Sequence, residues 1–124
     1  MDGVPGAAEV TAVLRAAGAR FAFAHGSRAA GTARPGSDLD VAAWWGGPAP
    51  DGWGVAVPDG VDLLVLDGAP LELAGRVALA GVLLFDDDPP ARVRWQAETR
   101  LMYLDEEDRQ RGLDRIFAAV RRHG

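Results

Sequence analysis

Apolar and polar positions along this chain follow two periods, and the switches between them mark out its elements. Val10, Val13 and Leu14 fall at i, i+3, i+4 and predict a first helix over residues 7–17, stopped by Gly18. Residues 21–25 are a short apolar run suited to a buried strand, and Gly26-Ser27 turns the chain into a short helical stretch near residues 28–31. Residues 38–45 read as a second strand, with Val41, Trp44 and Trp45 supplying β-propensity. Glycine and proline every few residues make 46–60 a loop, with one short edge strand expected at Val55–Val57. Residues 61–66 predict a third strand, 71–79 a helix and 82–85 a fourth strand. Val93, Ala97, Leu101 and Leu104 then repeat at helical spacing, as do Leu113, Ile116, Phe117 and Val120, which predicts two amphipathic helices.

The order α-β-α-β-β-α-β-α-α, with so few strands, predicts an α/β or α+β protein. Its small mixed sheet should carry helices packed mainly on one face. A length of 124 residues favours a single domain over 1–124, whose C-terminal part, about 89–122, is helical.

Composition narrows the function classes. The chain is 48% apolar and 25% charged, which excludes collagen, coiled coil and wholesale disorder. A net charge of -5 argues against a nucleic-acid binder. With no cysteine there is no disulfide framework, Cys-ligated zinc or Cys nucleophile. The start lacks the basic and apolar regions of a secretory signal, and Val77–Phe85, the longest uncharged apolar stretch, is too short to span a bilayer. A cytoplasmic location with no membrane association is expected. All 13 basic residues are arginine, a chain-wide bias that says little about any one site.

The chemistry concentrates in residues 25–40. A strand ending in Gly26-Ser27 and opening at once into a helix presents close backbone approach, a hydroxyl and unpaired N–H groups, the outline of a phosphate cradle. Arg28 in a helix's first turn is unfavourable unless an anion lies nearby. Asp38-Leu39-Asp40 on a strand puts two carboxylates on one face, a repulsion that an oxygen-seeking Mg²⁺ would relieve. Taken singly, each feature is better read as a plain turn or a solvated strand edge.

Together, Gly-Ser, ten residues and Asp-x-Asp resemble the signature of the DNA polymerase β-like nucleotidyltransferase superfamily. More narrowly, residues 26–41 resemble the minimal nucleotidyltransferase (MNT) family, antitoxins of HEPN-domain RNase toxins. Val61–Leu66 is similar to that family's third strand, and Asp88–Glu98 to its strand-to-helix passage. The resemblance implies a nucleotidyltransferase fold. Gly26 and Ser27 would hold the triphosphate of ATP, the substrate, with Arg28, Arg34 and Ser37 as further nucleotide-binding residues. Asp38, Asp40 and Asp62 would be both the catalytic residues and the ligands of Mg²⁺, two ions being expected. It implies transfer of AMP from ATP to a tyrosine of a HEPN toxin. Two other readings stand beside it: an antitoxin that acts by occlusion alone, and transfer of a nucleotide to a small, antibiotic-type acceptor. Whether it forms homo- or hetero-oligomers is left open.

Several residues have competing readings. Periodicity alone does not choose between Asp62 and Asp67; Asp67, before Gly68, reads as a turn residue, and only the family pattern favours Asp62. His25 reads first as a core or rim histidine and second as a nucleotide contact. Asp86-Asp87-Asp88 resembles a metal site but reads better as a strand end and helix cap before Pro89. Glu106, Glu107 and Asp108 read as the opening of the last helix. One of Trp44 and Trp45 is expected to be exposed, as part of a protein interface. The family's usual helix between the Asp-x-Asp strand and the third strand is missing, because glycine and proline interrupt 46–60.

Overall fold

The computed structural model describes residues 6–26 and 39–123. The first helix, α1 (Ala7–Ala16), buries Val10 and Leu14 and ends where Gly18 takes a positive φ of 94°. Strands β1 (Phe21–His25) and β2 (Leu39–Trp44) follow, then a single 3₁₀ turn at Gly52–Gly54 and β3 (Val61–Val65). Helix α2 (Leu71–Ala80), strand β4 (Val82–Asp86) and helix α3 (Pro89–His123) complete the described chain.

The four strands form one mixed sheet in the order β3-β2-β1-β4. β1 is antiparallel to both its neighbours, and β2 runs parallel to β3. A parallel pair needs a long crossover, usually a helix. Here residues 45–60 make it irregularly, and they are anchored rather than loose. Trp45 is buried and donates its indole N–H to the Ala17 carbonyl at 2.9 Å, and Val55 is buried beside it. The expected edge strand at Val55–Val57 is not formed; Val55 serves instead as core filler behind the sheet.

Alternate side chains along the strands feed two cores. Ala22, Ala24, Leu39, Val41 and Ala43 pack against α1, Trp45 and Val55. Phe21, Phe23 and Ala42 pack against Ala74 and Val77 of α2, with Trp44 and Trp95 closing the layer. Two of the three helices therefore share one face, as the sequence predicts. On that face the rings of Phe21 and Trp44 stack at 5.0 Å, and Trp95 lies within 6 Å of both phenylalanines. Neither tryptophan of the adjacent pair is exposed, against expectation: Trp45 is buried and Trp44 half-buried.

The C-terminal region differs most from expectation. It is one continuous helix of 35 residues, not two. Residues 105–111 contain only helix-tolerant charged and amide side chains. Arg109 pairs with Glu106 and Arg111 with Asp108 along the helix surface, so the acidic run lies mid-helix. The face that meets the body is Trp95, Thr99 and Tyr103, whereas Val93, Leu101 and Leu104 of the expected stripe stay exposed. A Cβ at Gly75 of α2 would run into the Tyr103 ring, so glycine there permits close helix contact. Gln96 and Arg100 donate to the Ala78 carbonyl at the end of α2, at 3.1 and 2.6 Å.

The acidic triplet at residues 86–88 is structural, as its second reading has it. Asp88 caps α3 by accepting the Ala91 N–H at 3.2 Å, Asp86 pairs with Arg92 at 2.9 Å, and Asp87 accepts two bonds from Arg15.

Candidate active site

β1 ends and β2 and β3 begin at the same end of the sheet, and the register there decides which side chains meet. His25 pairs with Asp40 across the antiparallel ladder, and Asp40 pairs with Asp62 across the parallel one. Neighbouring strands lie about 4.8 Å apart, so the three residues form a row across three strands. Their strand neighbours Leu39 and Val61 belong to the core on the α1 side. The row therefore faces the α2 side, at the end beyond the aromatic layer. His25, Asp40 and Asp62 line a cavity of about 220 Å³ with Leu63, Leu64 and Leu73.

Gly26 closes this corner. Its φ is +78°, and a Cβ there would lie 2.5 Å from Asp40 Oδ2. The turn thus sits against the carboxylate with room for hydrogen only.

His25 is half-buried and its Nε2 has no hydrogen-bond partner among the described residues. Burial pushes the imidazole below its ordinary pKa, against the opposing pull of Asp40 and Asp62. Burial thus favours the uncharged imidazole, on a ring that shares this end of the sheet with two carboxylates. The sequence favoured a plain rim histidine here; what it lacked was the His25–Asp40 register, a property of the pairing and not of the local motif.

The geometry separates the two aspartates that periodicity left level. Asp62 stands beside Asp40, while Asp67 accepts the backbone N–H groups of Trp45 and Gly46 at 2.9 and 2.7 Å and pins the crossover. Ser27, Arg28, Arg34, Ser37 and Asp38 lie outside the described residues, as does the expected helical stretch at 28–31. No cluster of three metal-ligating side chains occurs among the described residues. Asp40 and Asp62 do fit a hard divalent cation: adjacent carboxylates offer only oxygen, and neither forms an ion pair among the described residues.

No protein-family model matches the chain, and no curated protein matches it in sequence. Solved structures do match it. A toxin–antitoxin complex with AMP-PNP contains a chain with a TM-score of 0.74 and 22% identity, over 90% of this chain and 98% of that one. The MntA–HepT toxin–antitoxin complex gives 0.67 and 19%, over 90% and 97%. A tri-AMPylated Shewanella oneidensis HEPN toxin in complex with MNT antitoxin gives 0.68 and 20%, over 90% and 96%. The α+β fold of this chain, with its four-stranded mixed sheet, is thus that of the minimal nucleotidyltransferase antitoxins in these complexes.

Proposed function

We propose that this protein is a Mg²⁺-dependent nucleotidyltransferase, a single-domain antitoxin that transfers AMP from ATP to a tyrosine of a HEPN-domain toxin. The observation that carries the reading is the row at the sheet end: Asp40 and Asp62 side by side in register, with the Gly26 turn packed against Asp40. Similar complexes contain AMP-PNP in one case and a tri-AMPylated HEPN toxin in another, which supports the choice of nucleotide and partner. No helix among the described residues is long and apolar enough to cross a membrane, which suits a protein that meets ATP and an RNase in the cytoplasm.

In this reading the tyrosine hydroxyl attacks the α-phosphorus of ATP. The new bond is phenolic oxygen to phosphorus, the bond that breaks leads to pyrophosphate, and the phenolic proton passes to a base. Asp40 and Asp62, joined by Asp38, would hold magnesium, which supplies charge stabilisation for the attacking and leaving oxygens. Gly26 and Ser27, with Arg28, Arg34 and Ser37, would bind the triphosphate. His25, whose Nε2 has no partner among the described residues, can accept the phenolic proton or bind the nucleotide; a pH–rate profile of His25→Gln separates the two.

Two competing readings stand beside it: an antitoxin that acts by occlusion alone, and transfer of a nucleotide to a small acceptor. Intact-mass measurement decides between them. The chain is incubated with its HEPN partner, ATP and Mg²⁺, and the partner is weighed. AMP added by the wild type and not by Asp40→Asn establishes transfer. A stable complex with an unchanged partner mass establishes occlusion, and modification of a small acceptor but no protein selects the third reading.

A further inference from the structure

The cavity at the sheet end has two unlike surfaces. One is the row of His25, Asp40 and Asp62; the other is leucine, Leu63 and Leu64 from β3 and Leu73 from the first turn of α2. Asp62 and Leu64 are alternate residues of β3 and share a face, so the apolar surface starts directly beside the carboxylate. Helix α2 turns Ala74, Val77 and Ala78 into the core, whereas Leu73 is 42% exposed. Neither a triphosphate nor a hard cation has any use for an apolar wall.

The row also has a direction. Gly26, on the β1 side, packs against Asp40, and in the proposed reaction this turn holds the triphosphate. In an in-line displacement the entering and leaving oxygens lie on opposite sides of the phosphorus. Pyrophosphate held toward β1 therefore requires the hydroxyl to enter from the β3 side, past Asp62 and along the leucines. β3 is the outermost strand of the sheet, so no further strand stands between that wall and an incoming protein. The acceptor must bring a hydroxyl to the carboxylates and an apolar body to the wall. Serine has no such body, threonine has only a methyl group, and a sugar hydroxyl sits on a polar ring. A tyrosine side chain has both parts, an apolar ring and a polar tip.

We infer that Leu73, with Leu64, is the surface on which the ring of the acceptor tyrosine lies, so that the acceptor is recognised by its phenol ring and not by its hydroxyl alone. The inference rests on the AMP-transfer reading and assigns the acceptor side of that same site.

A double-mutant cycle between the full chain and its HEPN partner, with AMP-PNP and Mg²⁺ present, tests this. The acceptor tyrosine is first located by mass after reaction with ATP, and a wild type that modifies no tyrosine overturns the transfer reading and this inference together. Dissociation constants are then measured for wild type and Leu73→Ala, against the partner with its acceptor tyrosine intact or changed to alanine. Leu73→Ala should weaken binding of the intact partner roughly tenfold, and of the alanine partner less than about twofold. Leu73→Met should stay close to wild type, and AMP-PNP alone should bind wild type and Leu73→Ala equally. Losses of the same size against both partners, zero included, put Leu73 out of reach of the ring and overturn this inference while the transfer reading stands. A loss of AMP-PNP affinity in Leu73→Ala also overturns it, because the wall then holds the nucleotide.

Discussion

The two ends of one sheet face do opposite work with the same strands. At one end Phe21, Phe23 and Trp44 bury a continuous aromatic layer under α2 and Trp95. At the other, two positions on along β1 and two back from Ala42 on β2, the same face carries His25 and Asp40, with Asp62 beside them. The first end lowers the energy of the fold. The second raises it, since adjacent carboxylates repel and a half-buried imidazole loses hydration. Stability and chemistry are divided along strands of five and six residues, so substitutions a few ångströms apart should separate them cleanly.

The largest effect falls at the aromatic end. Phe21 is fully buried against Phe23, Trp44 and Trp95. Phe21→Ala should cost about 3–5 kcal/mol in urea unfolding. A loss under about 1 kcal/mol would mean that this layer does not hold the helices to the sheet. Asp40→Asn should behave in reverse, leaving the unfolding midpoint level or raised while AMP transfer falls on the order of 10²–10³-fold. Equal losses in both measurements would make Asp40 a structural residue and dissolve the contrast.

Gly26→Ala gives an intermediate effect that joins the two ends. A φ of +78° strains any residue with a Cβ, by about 1–2 kcal/mol. That Cβ also meets Asp40 Oδ2, which must turn away. The expected outcome is a modest drop in stability and a larger drop in transfer. A stability loss with transfer intact would show that the turn's closeness to Asp40 has no part in the chemistry.

How far the sequence reveals this arrangement depends on the reach of each signal. The four strands and the first two described helices are legible because each is a short local pattern ended by glycine, proline or a polar residue. Register is not local: the pairing of His25 with Asp40, and the choice of Asp62 over Asp67, come from ladders that no window of sequence contains. The Val55–Val57 strand fails because β-branched residues serve a buried loop as well as a ladder. The split C-terminal helix fails because an acidic run suits a helix start, while ion pairs three residues apart make it equally good helix interior. The Val93–Leu104 stripe misleads for a related reason. Trp95, Thr99 and Tyr103 form a second face at the same period, and the larger aromatic rings win the contact with the body.

The smallest effect lies at the far edge of the sheet and tests whether charge there matters as it does beside Asp40. Asp87 accepts two hydrogen bonds from the half-exposed Arg15, each 2.8 Å, tying β4's end to α1. Those hydrogen bonds, with the attraction between the charges, hold the Asp87 carboxyl below its ordinary pKa. A carboxylate whose pKa is lower in the folded chain contributes stability above its unfolded value. That contribution drains away as pH falls through the folded value, here below 3.8. Wild type should therefore lose slightly more stability than Asp87→Asn between pH 5 and pH 3, and the difference should shrink in high salt because the pair is open to solvent. Asp62→Asn keeps the Arg15–Asp87 pair, so it should lose as much as wild type over the same range. If the two variants respond alike to acid, the distinction between paired and unpaired carboxylates has no thermodynamic content in this protein.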